Sequence, residues 1–181
     1  MLDSIVTSKT RVKLLMKFFL NPENRGYLRG LATEFGDSTN SVRIELNRLV
    51  NADLLSSKSS GRVIEYKANV KHSLFKEINS LVGKYIGVDK IIDKLVKKLG
   101  EVESAYLVGD YANGIDSGLI DIVLVGKINI NNLNDISIKQ GKEINKKIRS
   151  LVLSAEEVKS LWNQLEMDKA LLIWGNPISI S

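Results

Sequence analysis

The sequence predicts an α+β chain, within the broad α/β class, built as two modules over 181 residues. Three observations predict it. Apolar residues recur at helical spacing through the first third, then give way to two strand-like runs about a turn. Beyond Gly100, strand-like and helical runs alternate, as in a mixed sheet covered by helices. The charge is also divided. Residues 1–71 hold 12 Lys/Arg against 7 Asp/Glu, residues 72–181 hold 14 of each, and the whole formal excess of +5 therefore lies in front. Such asymmetry points to a polyanion-facing surface on the first module.

The elements follow in order. "TSKTRVKLLMKFFLNPE" keeps Val12, Leu15, Met16, Phe19 and Leu20 at helical spacing until Asn21-Pro22 stops it. "GYLRGLATEFG" is a short helix with Leu28, Leu31, Ala32 and Phe35 on one face and Gly36 at its end. "DSTNSVRIELNRLVNADLL" is a third helix, with Ser38 placed to cap it. "LLSSKS" and "RVIEYKA" read as two strands joined about Ser60-Gly61. "HSLFKEINSLVGKYI" and "VDKIIDKLVKKL" are amphipathic helices separated at Gly87. Then come a strand at "SAYLVG", a Gly-rich turn, a strand at "LIDIVLVG", a polar loop at "NINNLNDI" and a helix at "SIKQGKEINKKI". A strand at "RSLVLS", a helix at "AEEVKSLWNQLEM" and a short final strand or helix end at "KALLIWG" complete the pattern. Trp162 and Trp174 are spaced as core residues, and the lone His72 as a surface or cap residue. The expected boundaries are residues 1–70, a helical connector over 71–100, and residues 101–181.

Helix, helix, turn, helix, hairpin is the order of a winged helix-turn-helix. At 100° per residue, the third helix carries Val42, Leu46, Leu49 and Val50 on one face and Asn40, Arg43, Ile44, Asn47, Arg48 and Asn51 on the other. The second face suits a major groove: Arg grips guanine O6/N7, Asn pairs with adenine N6/N7, and an aliphatic group meets a thymine methyl. Ser38, Thr39 and Ser41 stand near the helix start, where hydroxyls and free N–H groups bond phosphates. Lys58 and Arg62 flank the hairpin tip, in reach of backbone or minor groove. On these residues, the segment from about 8 to 70 resembles winged-helix regulators of the ArsR/MarR type, with "SVRIELNRLVNADLL" as its signature phrase. The resemblance implies double-stranded DNA as partner. With no cysteine and a single histidine, the metal-sensing branch of such regulators does not fit.

The rear module turns on "GDYANGIDSGLIDIVLVG". This stretch resembles the motif of minimal nucleotidyltransferases, which runs Gly-Ser-x-Ala-Arg-Gly and then Ser-Asp-x-Asp on a strand. In that motif, backbone N–H groups of the loop hold a triphosphate. Two aspartates at i and i+2 share one side of the strand and, with a third carboxylate, hold two divalent metals. Here Gly109, Ala112, Gly114 and Asp121 match, while Asp110 replaces the serine, Asn113 the arginine and Val123 the second aspartate. "RSLVLS" supplies no acid. One carboxylate does not hold two ions, so the resemblance implies a scaffold without transferase activity; Asp121 is expected to bond the loop or cap a helix instead. Gly109, Asp110, Gly114 and Asp121 are then candidates for holding a small-molecule or nucleotide effector.

The resulting expectation is a cytoplasmic DNA-binding regulator, a homodimer on a palindrome, with no cofactor, no metal and no catalysis. The helices after Lys71 are the best candidates for the dimer surface. The beginning of the sequence lacks the basic-then-apolar pattern of a signal peptide, and no apolar run approaches the ~18 residues of a membrane span. Two alternatives stay open on the sequence alone. One is an active metal-dependent nucleotidyltransferase whose first module docks a substrate. The other is an antitoxin-like interaction scaffold.

Overall fold

The computed structural model describes residues 6–179. The chain divides into two compact units, Met1–Tyr85 and Ile86–Ser181.

In the first unit, α1 (Lys9–Leu15) is capped by Ser8 and runs on as a π-helical turn, Met16–Leu20. Its buried residues include Leu14, Phe18 and Phe19. Next come β1 (Gly26–Tyr27), α2 (Leu28–Phe35) and α3 (Thr39–Asn51). The hairpin β2 (Leu55–Ser60) and β3 (Val63–Ala68) completes a three-stranded sheet of order β1-β3-β2. This is the winged-helix order. Gly26 and Tyr27, expected at the start of the second helix, pair instead with Tyr66 and Glu65, so that helix begins at Leu28. A strand of two residues has no periodicity of its own and is made by its partner. α4 (Phe75–Ile86) lies against the end of α1, where the Phe19 and Phe75 ring centroids are 5.6 Å apart and Asn79 Nδ2 donates to Phe19 O at 2.6 Å.

In the second unit, α5 (Val88–Lys98) precedes a four-stranded sheet of order β6-β5-β4-β7. Its strands are β4 (Gly100–Val108), β5 (Leu119–Ile128), β6 (Lys147–Leu153) and β7 (Leu171–Gly175). β4 is antiparallel to β5 and β7; β5 and β6 are parallel, joined by the crossover helix that a parallel pair requires. That helix, α6 (Ile130–Ile144), starts inside "NINNLNDI", which is therefore not a loop. Leu133 is buried there and Lys94 pairs with Glu143 at 2.9 Å, so tertiary contact overrides the poor helix propensity of the asparagines. β5 is covered on both faces. Val123 and Val125 join Tyr106, Leu153, Val158 and Met167 in one cluster, while Ile120, Ile122 and Leu124 are buried on the other side.

Two further expectations are corrected. The helix expected over "AEEVKSLWNQLEM" is only α7 (Ala155–Ser160), capped by a Ser154–Glu157 box; turns and a 3₁₀ segment at Met167–Lys169 follow. Glu166 breaks the run with φ +49°. Trp174 is not a core residue: it stands 43% exposed on the edge strand β7, whereas Trp162 packs against the core.

α1 and α3 are held together by buried acid. Glu45 accepts from Arg11 Nε at 2.7 Å and from Arg48 at 2.9 Å, and Asp37 accepts from Thr10 and Lys13. Burial pushes both carboxyls up. The hydrogen bonds outweigh it and leave both below the usual carboxylate range, from Arg11 and Ser8 at Glu45 and from Lys13 and Thr10 at Asp37. Groups lowered on folding stabilise fully above their unfolded values, and that stability drains as pH falls through the lowered folded values. An acid titration followed by far-UV circular dichroism is expected to show the first unit losing stability below about pH 4, with a shallower acid limb in Glu45→Gln.

Candidate nucleic-acid interface

The rotation of α3 is set by its buried stripe: Val42, Leu46 and Leu49 are each 4% exposed or less. Glu45 lies in the same stripe and is buried with them. Its position, three after Val42 and four before Leu49, was a sequence signal for a buried acid, and Arg11 is its partner on α1. On the opposite side, Asn40, Arg43, Asn47, Arg48 and Asn51 are exposed, as is Ile44 at 44%.

The three hydroxyls at the helix start differ. Ser38 Oγ accepts from the Ser41 N–H at 3.1 Å, so it caps the helix. Ser41 Oγ shares a 3.1 Å hydrogen bond with Thr10 Oγ1 and is half-buried. Thr39 is exposed. Arg48 is drawn back by Glu45, yet its side chain stays exposed. Arg43 makes no ion pair among the described residues and is the cation of this face left to reach outward.

The hairpin register pairs Ser60 with Val63 and leaves Gly61-Arg62 as a two-residue turn. Gly61 has φ +62° and Arg62 does not share the positive value, the pattern of a type II′ turn that needs glycine first. Lys58 sits across from Glu65, whose carboxylate accepts from Tyr27 OH at 2.8 Å. Lys58 and Arg62 are exposed without an ion pair among the described residues. α3 and the wing thus present Arg43, Lys58 and Arg62 as uncommitted cations.

In the second unit, the chain leaves β4 through a single helical turn, Gly109–Ala112, with Asp110 exposed. Gly109 has φ +64°, and a Cβ there would lie 3.1 Å from Asp121 Oδ2. The positive φ favours glycine there, and a Cβ would also press on that carboxylate oxygen. Gly114 also has positive φ, but neither it nor Asp110 makes a hydrogen bond or ion pair with Asp121 among the described residues. The far side of the loop is tied down: Asp116 accepts from Tyr111 OH and from Lys146 Nζ, the latter at 2.6 Å, and Lys146 also lies 5.2 Å from the Tyr111 ring centroid. Burial pushes the Asp116 carboxyl up, and Lys146 and Tyr111 more than reverse that.

Among the described residues, Asp121 bonds neither a helix end nor the loop. Parallel pairing of β5 with β6 sets it directly beside Arg149, whose Nε donates to Asp121 Oδ1 at 2.6 Å. That hydrogen bond and the charge of Asp121 raise the guanidinium above its already high range. Val123, two residues on, is buried. Among the described residues, no three His, Cys, Asp or Glu side chains gather closely enough to hold a metal ion, and no helix is long and apolar enough to cross a membrane.

No family model and no curated protein matches the chain. Among solved structures, reduced HlyU from Vibrio cholerae N16961 is similar at 14% identity over 46% of this chain and 82% of that one, with a TM-score of 0.37. A likeness of that size carries no argument about function, which rests on the residues themselves.

Residues without partners tolerate truncation; residues in the α1–α3 network do not. Urea unfolding is expected to place Arg43→Ala, Lys58→Ala and Arg62→Ala each within about 0.5 kcal/mol of the parent. Glu45→Ala, which strands Arg11, is expected to cost about 2 kcal/mol.

Proposed function

We propose that the chain is a DNA-binding transcriptional regulator whose second unit has the scaffold, but not the activity, of a nucleotidyltransferase. The observation that carries the first half is the outward face of α3. Arg43 and Asn47 are exposed at the spacing of one helical turn, beside a wing with Lys58 and Arg62. α3 would enter the major groove, Arg43, Asn40 and Asn47 reading base edges and Ile44 a thymine methyl, while Thr39, Ser38, Lys58 and Arg62 hold phosphates. Such a head covers only a short half-site, so a homodimer on a palindromic operator follows, working in the cytoplasm.

The inactive second unit is supported by the charge at Asp121. Its one carboxylate already carries a guanidinium, and Val123 gives no second ligand on that side of the strand. What such a unit offers is a place for an effector or for the partner copy. Nothing favours an active transferase or a pure scaffold over this reading.

Selection from a random DNA pool at stated salt is expected to return a palindrome, with affinity falling steeply as salt rises. Arg43→Ala should relax preference at one base position by about 1–3 kcal/mol, while Lys58→Ala should weaken all sequences alike and lower the salt slope by about one. Failure to enrich any sequence, together with salt-insensitive binding, would remove the regulator reading. Incubation with labelled nucleotides and magnesium is expected to give no transfer; transfer abolished by Asp121→Asn would restore the enzyme.

A further inference from the structure

We infer that the cleft at the Asp121–Arg149 pair is a receptor for a small, singly charged anion with an apolar body, Arg149 taking the acidic group. The inference rests on the reading of the second unit as a scaffold kept for an effector, and it names the class of that effector.

Three observations converge. A cleft of about 570 Å³ opens beside the pair, a size suited to a small molecule. Its apolar lining includes Val108, Val123, Leu151 and Leu165. Arg149 is anchored on one edge only: its Nε is spent on Asp121, while its two terminal amino groups have no partner among the described residues and the side chain is 70% exposed. A guanidinium held by a carboxylate at Nε is pre-oriented, and its remaining fork matches the two oxygens of a carboxylate or the edge of a phosphate. Finally, Glu166, a non-glycine residue held at φ +49°, forms part of the cleft wall. Backbone strain of this kind persists where the surroundings impose it, and it gathers at ligand sites.

Charge decides the class. Asp121 cancels Arg149, and Glu166 at the wall is already paired with Lys169 at 2.8 Å. The cleft therefore has no surplus cation for a polyphosphate, and one acidic group is what its free fork satisfies. The aliphatic walls then favour an apolar body over a sugar. The larger hollow lined by Lys142, Lys146 and Lys147 competes poorly. Lys146 is committed to Asp116 there, and the hollow faces the carbonyl end of α6, which disfavours anions.

The test uses the full chain labelled with ¹⁵N, and two probes that differ only in charge and head group: indole-3-acetate and the neutral indole-3-ethanol. Indole-3-acetate is expected to shift the Gly109, Val123, Leu151 and Leu165 amides saturably, with indole-3-ethanol binding at least about tenfold more weakly. Arg149→Gln should lose at least about tenfold for the acid and little for the alcohol, and Arg149→Lys should fall between, because it keeps the charge without the fork. The two-probe comparison on the parent chain needs no variant, so a misfolded variant does not obscure it. No saturable shift at millimolar acid, equal binding of both probes, or full affinity in a folded Arg149→Gln would each overturn the inference. DNA affinity measured on the same samples separates the two readings. If the probe fails while DNA binding holds, only the ligand assignment falls; if DNA binding fails while the probe binds, the regulator falls and the cleft stands.

Discussion

Burial of Val42, Leu46 and Leu49 sets the direction in which α3 faces, and the first unit's chemistry follows from that direction. Each such side chain gains about 1.5–3 kcal/mol on leaving water. Turning the helix by one residue would expose part of this stripe and drag Arg43 or Asn47 inward. That cost fixes which face of α3 is left to solvent. Glu45 adds direction to the hydrophobic term. It takes a place where an aliphatic residue would pack, and it accepts from Arg11 on α1 and Arg48 on α3. A buried acid that needs two particular cations tolerates fewer arrangements than a greasy contact does. Arg48 is thereby partly withdrawn from the outer face, and Arg43 is left as its principal cation.

The same logic operates in the second unit through strand register. Ile120, Ile122 and Leu124 are buried on one side of β5, so Asp121 and Val123 must point to the other. The parallel ladder with β6 then sets Asp121 against Arg149 and Val123 against Leu151. A slip of one residue would put every side chain of β6 on the wrong face. The ion pair is thus a consequence of hydrophobic alternation in two strands, made possible on the loop side by a glycine that lets the backbone approach the carboxylate.

Much of this was legible in the chain. The 3.6-residue stripe of α3, the hairpin about Gly61, the break at Gly87 and the glycine frame before Asp121 all rest on local chemistry, which a sequence states directly. What was missed depends on distant partners. β1 exists because Tyr66 and Glu65 are there to pair with it. The start of α6 is written in asparagines, and the burial of Leu133 together with the Lys94–Glu143 pair favours the helix. Arg149 lies 28 positions from Asp121, and nothing nearer than the register of two strands joins them. Trp174 reads as core by its spacing, yet its strand is at the sheet edge.

The Asp121–Arg149 ion pair sets the electrostatics of the cleft. A site that ran phosphoryl transfer would need Asp121 to share a divalent ion with other carboxylates. Arg149 instead brings a fixed positive charge to within hydrogen-bonding distance of that oxygen. Two unit charges of like sign about 4 Å apart repel by about 4 kcal/mol at the effective dielectric of a protein surface, and a divalent ion doubles the term. A metal approaching Asp121 must therefore displace the guanidinium or endure it, without a second acid at Val123 to compensate. The same guanidinium is no obstacle to a negative group arriving from solvent on its open edge. With Arg149 bonded to Asp121 and Val123 buried two residues on, this side of β5 offers one carboxylate, already paired with a cation whose other edge is open to solvent.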